Sequence, residues 1–560
     1  SPRARTREVA SGGERGTPLA AVTINTLMST EAAELTTPTH ASALLQEAAR
    51  RRTFAVISHP DAGKTTLTEK LLLYGGALHE AGAVKATAQQ REVTSDWMEL
   101  ERRRGISVTS TAMRFSHRET VFNLLDTPGH RDFSEDTLRV LAAADCAVIL
   151  LDAARGVEDQ TLKLFQVARA RGIPLITFVN KYDRPGMEPL AMIDHIEQTL
   201  ALRCAPLTWP VGLPGEFQGV LEADGGSFIR FTRTARGATR AEEELVEQTS
   251  SETDPAWATA REELELLQAD GRGWDAEPFQ SGALTPVLFG SALWNFGVEQ
   301  LLDALIDVGP SPTARPTVDA QWQALDAPFS ALAFKVQANM DPRHRDRIAF
   351  LRICSGRFER GMRVTNARTG ATLALSYAHE LFGQDRSTIE DAYPGDIVGI
   401  VNASDVLVGD TLYEGETVSF PPIPSLAPEH FVTVHNRDPA RRKQFLRALE
   451  QLDHEGVVQL FRRGANEPAP VLAAVGPLQF EVASERLSGE FGVQVRFEPL
   501  DWHLARRISP EDADAARGSR WAELIERQDG TCLAAFRTPY ALAQFVEAFP
   551  AVALDEMAAR

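Results

Sequence analysis

Four short segments of this chain carry side chains whose types and spacing suit phosphate and base chemistry. The first is SHPDAGKT, Ser58 to Thr65. Between a strand and a helix, such a loop aims backbone N–H groups and the free donors of the helix's first turn at a phosphate chain. Ser58, His59, Pro60, Asp61, Ala62 and Gly63 would line the phosphates. Lys64 would supply a mobile positive charge to the β- and γ-phosphates, and Thr65, followed by Thr66, a hydroxyl for Mg2+. Ser58 stands where the usual pattern has glycine; Gly63 is the position where a Cβ would obstruct the turn. The second segment is DTPGH, Asp126 to His130. Asp126, closing an apolar run, suits a carboxylate that holds Mg2+ through water. Thr127 and Pro128 lead to Gly129, whose N–H would lie at the γ-phosphate, and His130 would orient the attacking water. The third is NKYD, made of Asn180, Lys181, Tyr182 and Asp183. Asp183 can accept both the N1–H and the exocyclic amine of guanine, a donor pair that adenine lacks. The stem of Lys181 can cover the base plane. In the fourth, GSAL, the amides of Ser291, Ala292 and Leu293 would meet the guanine oxygen. His130, Lys64 and Asp61 are the candidate catalytic residues.

Between the first two segments lies RRRGISV, Arg102 to Val108, after a polar stretch with no firm period. It is expected to be a mobile switch. Ser107 is its candidate second hydroxyl ligand for Mg2+, against a plain strand-edge serine, and Ile106 an apolar neighbour of the γ-phosphate.

Positioning these segments requires strands that end together. FAVIS, TVFNLLD, CAVILLD, LITFVN and PVLFGS alternate with helical patterns, which predicts a largely parallel sheet covered on both faces. Each motif follows one of these strands, where an open α/β sheet places its ligands. The expected architecture is multidomain, α/β followed by β followed by α+β. Residues 1–49 are expected to be a disordered leader and 50–316 a P-loop GTPase domain. Residues 204–284, too long for a simple connection, would form an inserted subdomain with short strands and the helix AWATAREELELLQA. Residues 328–421 alternate as strands broken by turns and predict an antiparallel β-barrel. Its seven arginines between Arg343 and Arg363 suit either an RNA-facing edge or a solvated strand face. After PPIPSLAP, the order βαββαβ predicts a ferredoxin-like α+β domain over 428–560, with a second basic cluster at Arg437–Arg447. The stretch from about Asp501 is expected to pack on that unit.

The net charge of −19 means that any nucleic acid must be met by local basic patches, not by the whole surface. The four cysteines show no metal or redox spacing and fit a reducing, cytoplasmic setting. The longest apolar run is too short to cross a bilayer, so no membrane partner is expected.

Motif order and domain series resemble the translational GTPases, and within them the bacterial class II peptide release factors. The resemblance rests on SHPDAGKTT, SDWMELERRRGISV, LLDTPGHRDFSEDT, CAPLTWPVG, FKVQANMDPRHRDRIAF, EDAYPGDIVG and AVGPLQFEV, and covers about residues 50 to 500. It implies a monomeric, cytoplasmic, ribosome-stimulated GTPase that uses GTP/GDP and Mg2+ and drives class I release factors off the ribosome during termination. The implied ribosomal contacts are the sarcin–ricin loop of large-subunit RNA and the stalk proteins. An elongation-factor paralogue or a ribosomal protection protein is the nearest alternative. A P-loop kinase would leave NKYD and GSAL without use, and a non-hydrolysing scaffold would leave DTPGH without use.

Overall fold

The computed structural model describes residues 40–77, 110–224, 226–233, 240–246, 254–338, 347–382, 385–401, 403, 405–463 and 469–555. The expected switch, with Ile106 and Ser107, lies outside them. Helix α1 (His40–Ala49) falls within the stretch expected to be a leader. Its alanine- and leucine-rich sequence favours helix, and its Glu47 holds Arg51 at 2.7 Å.

Seven strands form the central sheet: β1 (Arg51–Ser58), β2 (Thr111–His117), β3 (Thr120–Asp126), β4 (Cys146–Asp152), β5 (Leu175–Asn180), β6 (Arg203–Pro206) and β11 (Leu284–Phe289). Their order is β2-β3-β1-β4-β5-β11-β6. All neighbours run parallel except β2, which adds antiparallel to β3 at one edge. Every residue of β4 and β5 is buried, as strands covered on both faces require. The parallel register sets Val56 beside Asp126 and Asp152 beside Asn180, so the motif loops leave the sheet at one level. Helix α2 (Lys64–Tyr74) follows the first motif and α3 (Ser134–Ala143) the second.

Strands β7 (Thr208–Val211), β8 (Gly219–Glu222), β9 (Phe228–Thr232) and β10 (Glu242–Val246) make a separate antiparallel sheet. Helix Pro255–Ala269 covers it with Trp257, Ala260, Leu264 and Leu267, one apolar stripe at helical spacing.

Residues 330–413 curl eight antiparallel strands about their own core of Ala331, Val336, Leu351, Val398 and their neighbours. The outer face of this sheet, through Phe334, Ile348, Phe350, Ile397 and Val401, joins the core of the α/β unit. That seam is ionic as well as apolar. Arg352, 1% exposed, grips the Asp145 carboxylate at 2.7 and 2.8 Å, and Arg51 pairs with Asp396 at 2.9 Å. Thr53 donates to the Gly395 carbonyl at 2.7 Å. Arg352 belongs to the basic run Arg343–Arg363 and is therefore sealed in an interface, not turned outward to RNA. Arg357 and Arg360 meet acidic neighbours at the surface. Arg343 and Arg345 lie outside the described residues. A register shift between Ala333 and Lys335 turns Lys335 to the α/β unit. There its Nζ donates to the carbonyl of Ser110 and, at 2.9 Å, to that residue's hydroxyl, and stands 3.8 Å from Asp136. Burial would raise the Asp136 carboxyl pKa, but Lys335 and Ser110 outweigh it and hold it below its usual value.

Pro421 to Pro428, with four prolines and no regular structure, leads to the C-terminal region. Strands His430–Asn436, Gln459–Phe461, Val471–Ala474 and Val495–Pro499 alternate with helices Arg442–Glu455 and Leu478–Gly489 in the ferredoxin-like arrangement. Residues 504–555 repeat the βαββαβ order and the same strand arrangement in a second four-stranded sheet. One unit is expected from the sequence over 428–560; two stand there. The second was hidden because its strands are short, the last only Leu554–Asp555. Phe431, Phe461, Trp502, Ile525 and Leu533 share a core between the two sheets.

Candidate nucleotide site

The four motif loops meet at the C-terminal ends of β1, β3, β5 and β11. Gly63 caps α2 at φ +98°, and a Cβ there would stand 2.5 Å from Asn180 Nδ2, so only glycine lets the first and third loops touch. Asp61 also takes a positive φ, +65°. Its carboxylate is exposed, while its carbonyl accepts from Lys181 Nζ. Asn180 ties three loops together: its Nδ2 donates to the Ala62 carbonyl at 2.8 Å and its Oδ1 accepts the Ala292 N–H at 2.8 Å.

Lys64 is buried and pairs with Asp126 Oδ1 at 2.6 Å, joining the first motif to the second. Thr127 donates to the Val56 carbonyl at 2.6 Å, pinning the start of DTPGH to β1. A Cβ on Gly129 would lie 3.8 Å from Pro60 Cα, which places the second loop directly over the first. Thr65 and Thr66 are half-buried in the first turn of α2. Thr65 and the carboxylate of Asp126 are hard oxygen donors and fit Mg2+, which takes few protein ligands and fills its shell with phosphate and water. Among the described residues no group of three or more His, Cys, Asp or Glu side chains could hold a metal unaided.

At the base end, Asp183 accepts from Ser291 Oγ at 2.5 Å and from Trp294 Nε1 at 3.2 Å. The third and fourth motifs thus converge on one carboxylate. Ala292 is buried and Leu293 exposed. Tyr182 lies in the core against Phe217 and Phe289, with its N–H on the Gly290 carbonyl. Its side chain therefore shapes the loop from beneath. Among the described residues neither ring nitrogen of the buried His59 has a hydrogen-bond partner, and burial pushes its pKa down. His130 is one-third exposed, and its Nδ1 accepts the Asp132 N–H at 3.2 Å.

Three site residues escaped the sequence reading. Asp152, at the end of β4, pairs with Lys181 at 2.8 Å. Burial would raise its pKa, but the hydrogen bonds from Lys181 and the Ala154 N–H lower it. CAVILLD ends in an aspartate just as TVFNLLD does, and that parallel was the available signal. Trp294, directly after the fourth motif, and Asp132, two residues beyond the second, gave no signal of their own.

Residues 49–311 match the family model of the elongation factor Tu GTP binding domain, and 328–415 that of elongation factor G domain 2. Residues 420–546 match the C-terminal domain of class II release factor RF3. Among curated proteins, the chain is 47% identical to peptide chain release factor 3 of Gloeobacter violaceus over 526 residues, 92% of this chain and 99% of that one. It is 47% identical to the protein of the same name from Symbiobacterium thermophilum, over 90% of this chain and 97% of the relative. For that of Synechococcus elongatus the identity is 50%, over 83% and 85%. A crystal structure from Thermus thermophilus superposes with TM-score 0.66 at 24% identity, covering 86% of this chain and 72% of that one, a likeness of fold.

Proposed function

This chain belongs to the peptide chain release factor 3 family, GTPases of translation termination that act with the ribosome and class I release factors, and from that premise we propose how its own residues do the work. Lys64 leaves Asp126 for the β- and γ-phosphates as GTP enters, exchanging one anionic partner for another. The amides of the loop from Asp61 to Thr66 surround the phosphates, and Asp61 helps to hold the reacting end. Thr65, Ser107 and Asp126 would hold Mg2+, which would supply charge neutralisation at the phosphates. Asp183 reads guanine, exchanging its bonds to Ser291 and Trp294 for the two donors of the base. Lys181 covers the base plane, Asn180 keeps the loops in register, and the amides of Ser291 to Leu293 meet the guanine oxygen. His130 orients the attacking water beside Gly129.

The observation that carries this reading is the joining of a four-loop guanine-type site to a C-terminal region of the release-factor type. By analogy with other activated GTPases, slow intrinsic turnover and stimulation by the ribosome are expected, on the order of 10³-fold or more. Docking on the sarcin–ricin loop and the stalk proteins as a monomer, in the cytoplasm where ribosomes work, completes the proposal. The exposed cluster Arg437, Arg441, Arg442, Lys443 and Arg447 supplies local positive charge on a chain of net charge −19. The test uses one ribosome preparation for two assays. With GTP, the protein should speed dissociation of a class I factor from post-release ribosomes and leave messenger and transfer RNA in place. Stimulated translocation without factor release would refute it.

A further inference from the structure

The turn that follows His130 is held from the far side of the molecule. Asp132 is 2% exposed, and its Oδ2 accepts the Leu478 N–H at 2.9 Å. That amide is one of the donors that helix Leu478–Gly489 leaves free in its first turn. The backbone N–H of the same aspartate donates to His130 Nδ1. The same Nδ1 stands 3.4 Å from Asp132 Oδ1, so the backbone and the carboxylate of Asp132 both meet this nitrogen and Nε2 is the one left for water. Phe133, Leu478 and Val482 close over the contact as an apolar cluster.

Two glycines of the C-terminal region mark how closely it approaches. A Cβ at Gly476 would overlap the Asp132 carboxylate, and one at Gly456 (φ +74°) would overlap the Arg139 guanidinium. Arg139, on α3, donates to the Glu455 carbonyl at 3.1 Å. Beside these bonds the seam is open: a cavity of about 410 Å³ lies between Ser134 and Leu138 on one side and Leu426, His430 and Val475 on the other. The attachment here therefore combines a few directed bonds with one small apolar cluster, beside a space.

We propose that Asp132 is a positioning residue for His130, fixed by the first amide of helix Leu478–Gly489, so that docking of the C-terminal region sets the alignment of the ring. This rests on the reading of His130 as the group that orients water.

The test compares variants of the full chain with ribosomes, measuring kcat, the KM for ribosomes and the affinity for a fluorescent GDP analogue. Gly476→Ala changes the identity of no residue that faces the nucleotide. It should lower kcat on the order of 10- to 100-fold, the scale of a misplaced catalytic group. KM and nucleotide affinity should stay within about twofold, since an interaction made only in the transition state is lost. Asp132→Ala should behave alike, while Asp132→Asn, which keeps an acceptor and the shape, should retain most of the turnover. In a His130→Ala background neither Gly476→Ala nor Asp132→Ala should lower kcat further, because both act through the ring. An equal fall in that background, or normal kcat in Gly476→Ala when His130→Ala is impaired, overturns the coupling. Normal kcat in His130→Ala overturns the reading of His130 instead. Should Gly476→Ala not fold, the Asp132→Ala and Asp132→Asn pair carries the same comparison.

Discussion

The two ends of the seven-stranded sheet use charge in opposite ways. At the C-terminal ends, Lys64 with Asp126, Lys181 with Asp152, and Asp183 with Ser291 and Trp294 are pairs between loops, each including a group that a nucleotide can claim. At the N-terminal ends, Arg352 with Asp145 and Arg51 with Asp396 are buried pairs between domains, at the other end of the strands from the motif loops. The first set is built to exchange partners and the second to keep them. Burial alone does not separate the two, for Lys64 is also buried. What separates them is whether a competing partner of the same charge can reach the site.

Breaking the fixed end should give the largest effect. Arg352→Ala takes from Asp145 the guanidinium at 2.7 Å and leaves it Arg315 at 3.7 Å. Orphaning one member of a buried pair costs about 3–5 kcal/mol, read as a lower urea midpoint, with GTP affinity unchanged in the folded fraction. Weaker GTP binding in that fraction would erase the distinction between the ends. Breaking the exchanging end should do the converse. Asp183→Asn should weaken GTP on the order of 10³-fold and admit xanthosine triphosphate, whose C2 oxygen replaces the amine, with the urea midpoint unmoved. Unchanged GTP affinity would remove Asp183 from the base site. A third change touches neither end. Neutralising Arg441, Arg442 and Lys443 together should weaken ribosome binding about tenfold and flatten its salt dependence by a slope of roughly 2–3. GTP affinity and stability should hold, and an unaltered salt slope would show that this cluster does not meet phosphate.

The exchanging end was largely legible in the sequence, because each loop carries its chemistry in a few consecutive residues. TVFNLLD, CAVILLD and LITFVN coincide with β3, β4 and β5, since uninterrupted apolar runs closed by a polar residue leave little freedom of register. The fixed end was not legible. Asp145 and Arg352 lie 207 positions apart, and an arginine in a basic run looks the same whether its partner is an aspartate or a phosphate. Asn180 shows a subtler gap: its motif marked it for the base, and the structure shows it spanning Ala62 and Ala292. The second βαββαβ unit needed tertiary pairing to become visible, because strands of two to five residues carry almost no periodicity.

Four prolines in the eight residues from Pro421 to Pro428 stiffen the tether before the C-terminal region. In extended polyproline form, at about 3.1 Å per residue, the tether is a strut of roughly 25 Å that resists coiling. When the whole seam parts, with the Asp132–Leu478 and Arg139–Glu455 bonds and the apolar cluster lost together, the region cannot diffuse away. It remains at an effective concentration in the millimolar range, on the order expected for short tethers. Reclosure is then fast and independent of how much protein the cell holds. A partner that keeps the seam open must therefore outcompete a neighbour that never leaves, and the lifetime of the open form measures that partner's grip.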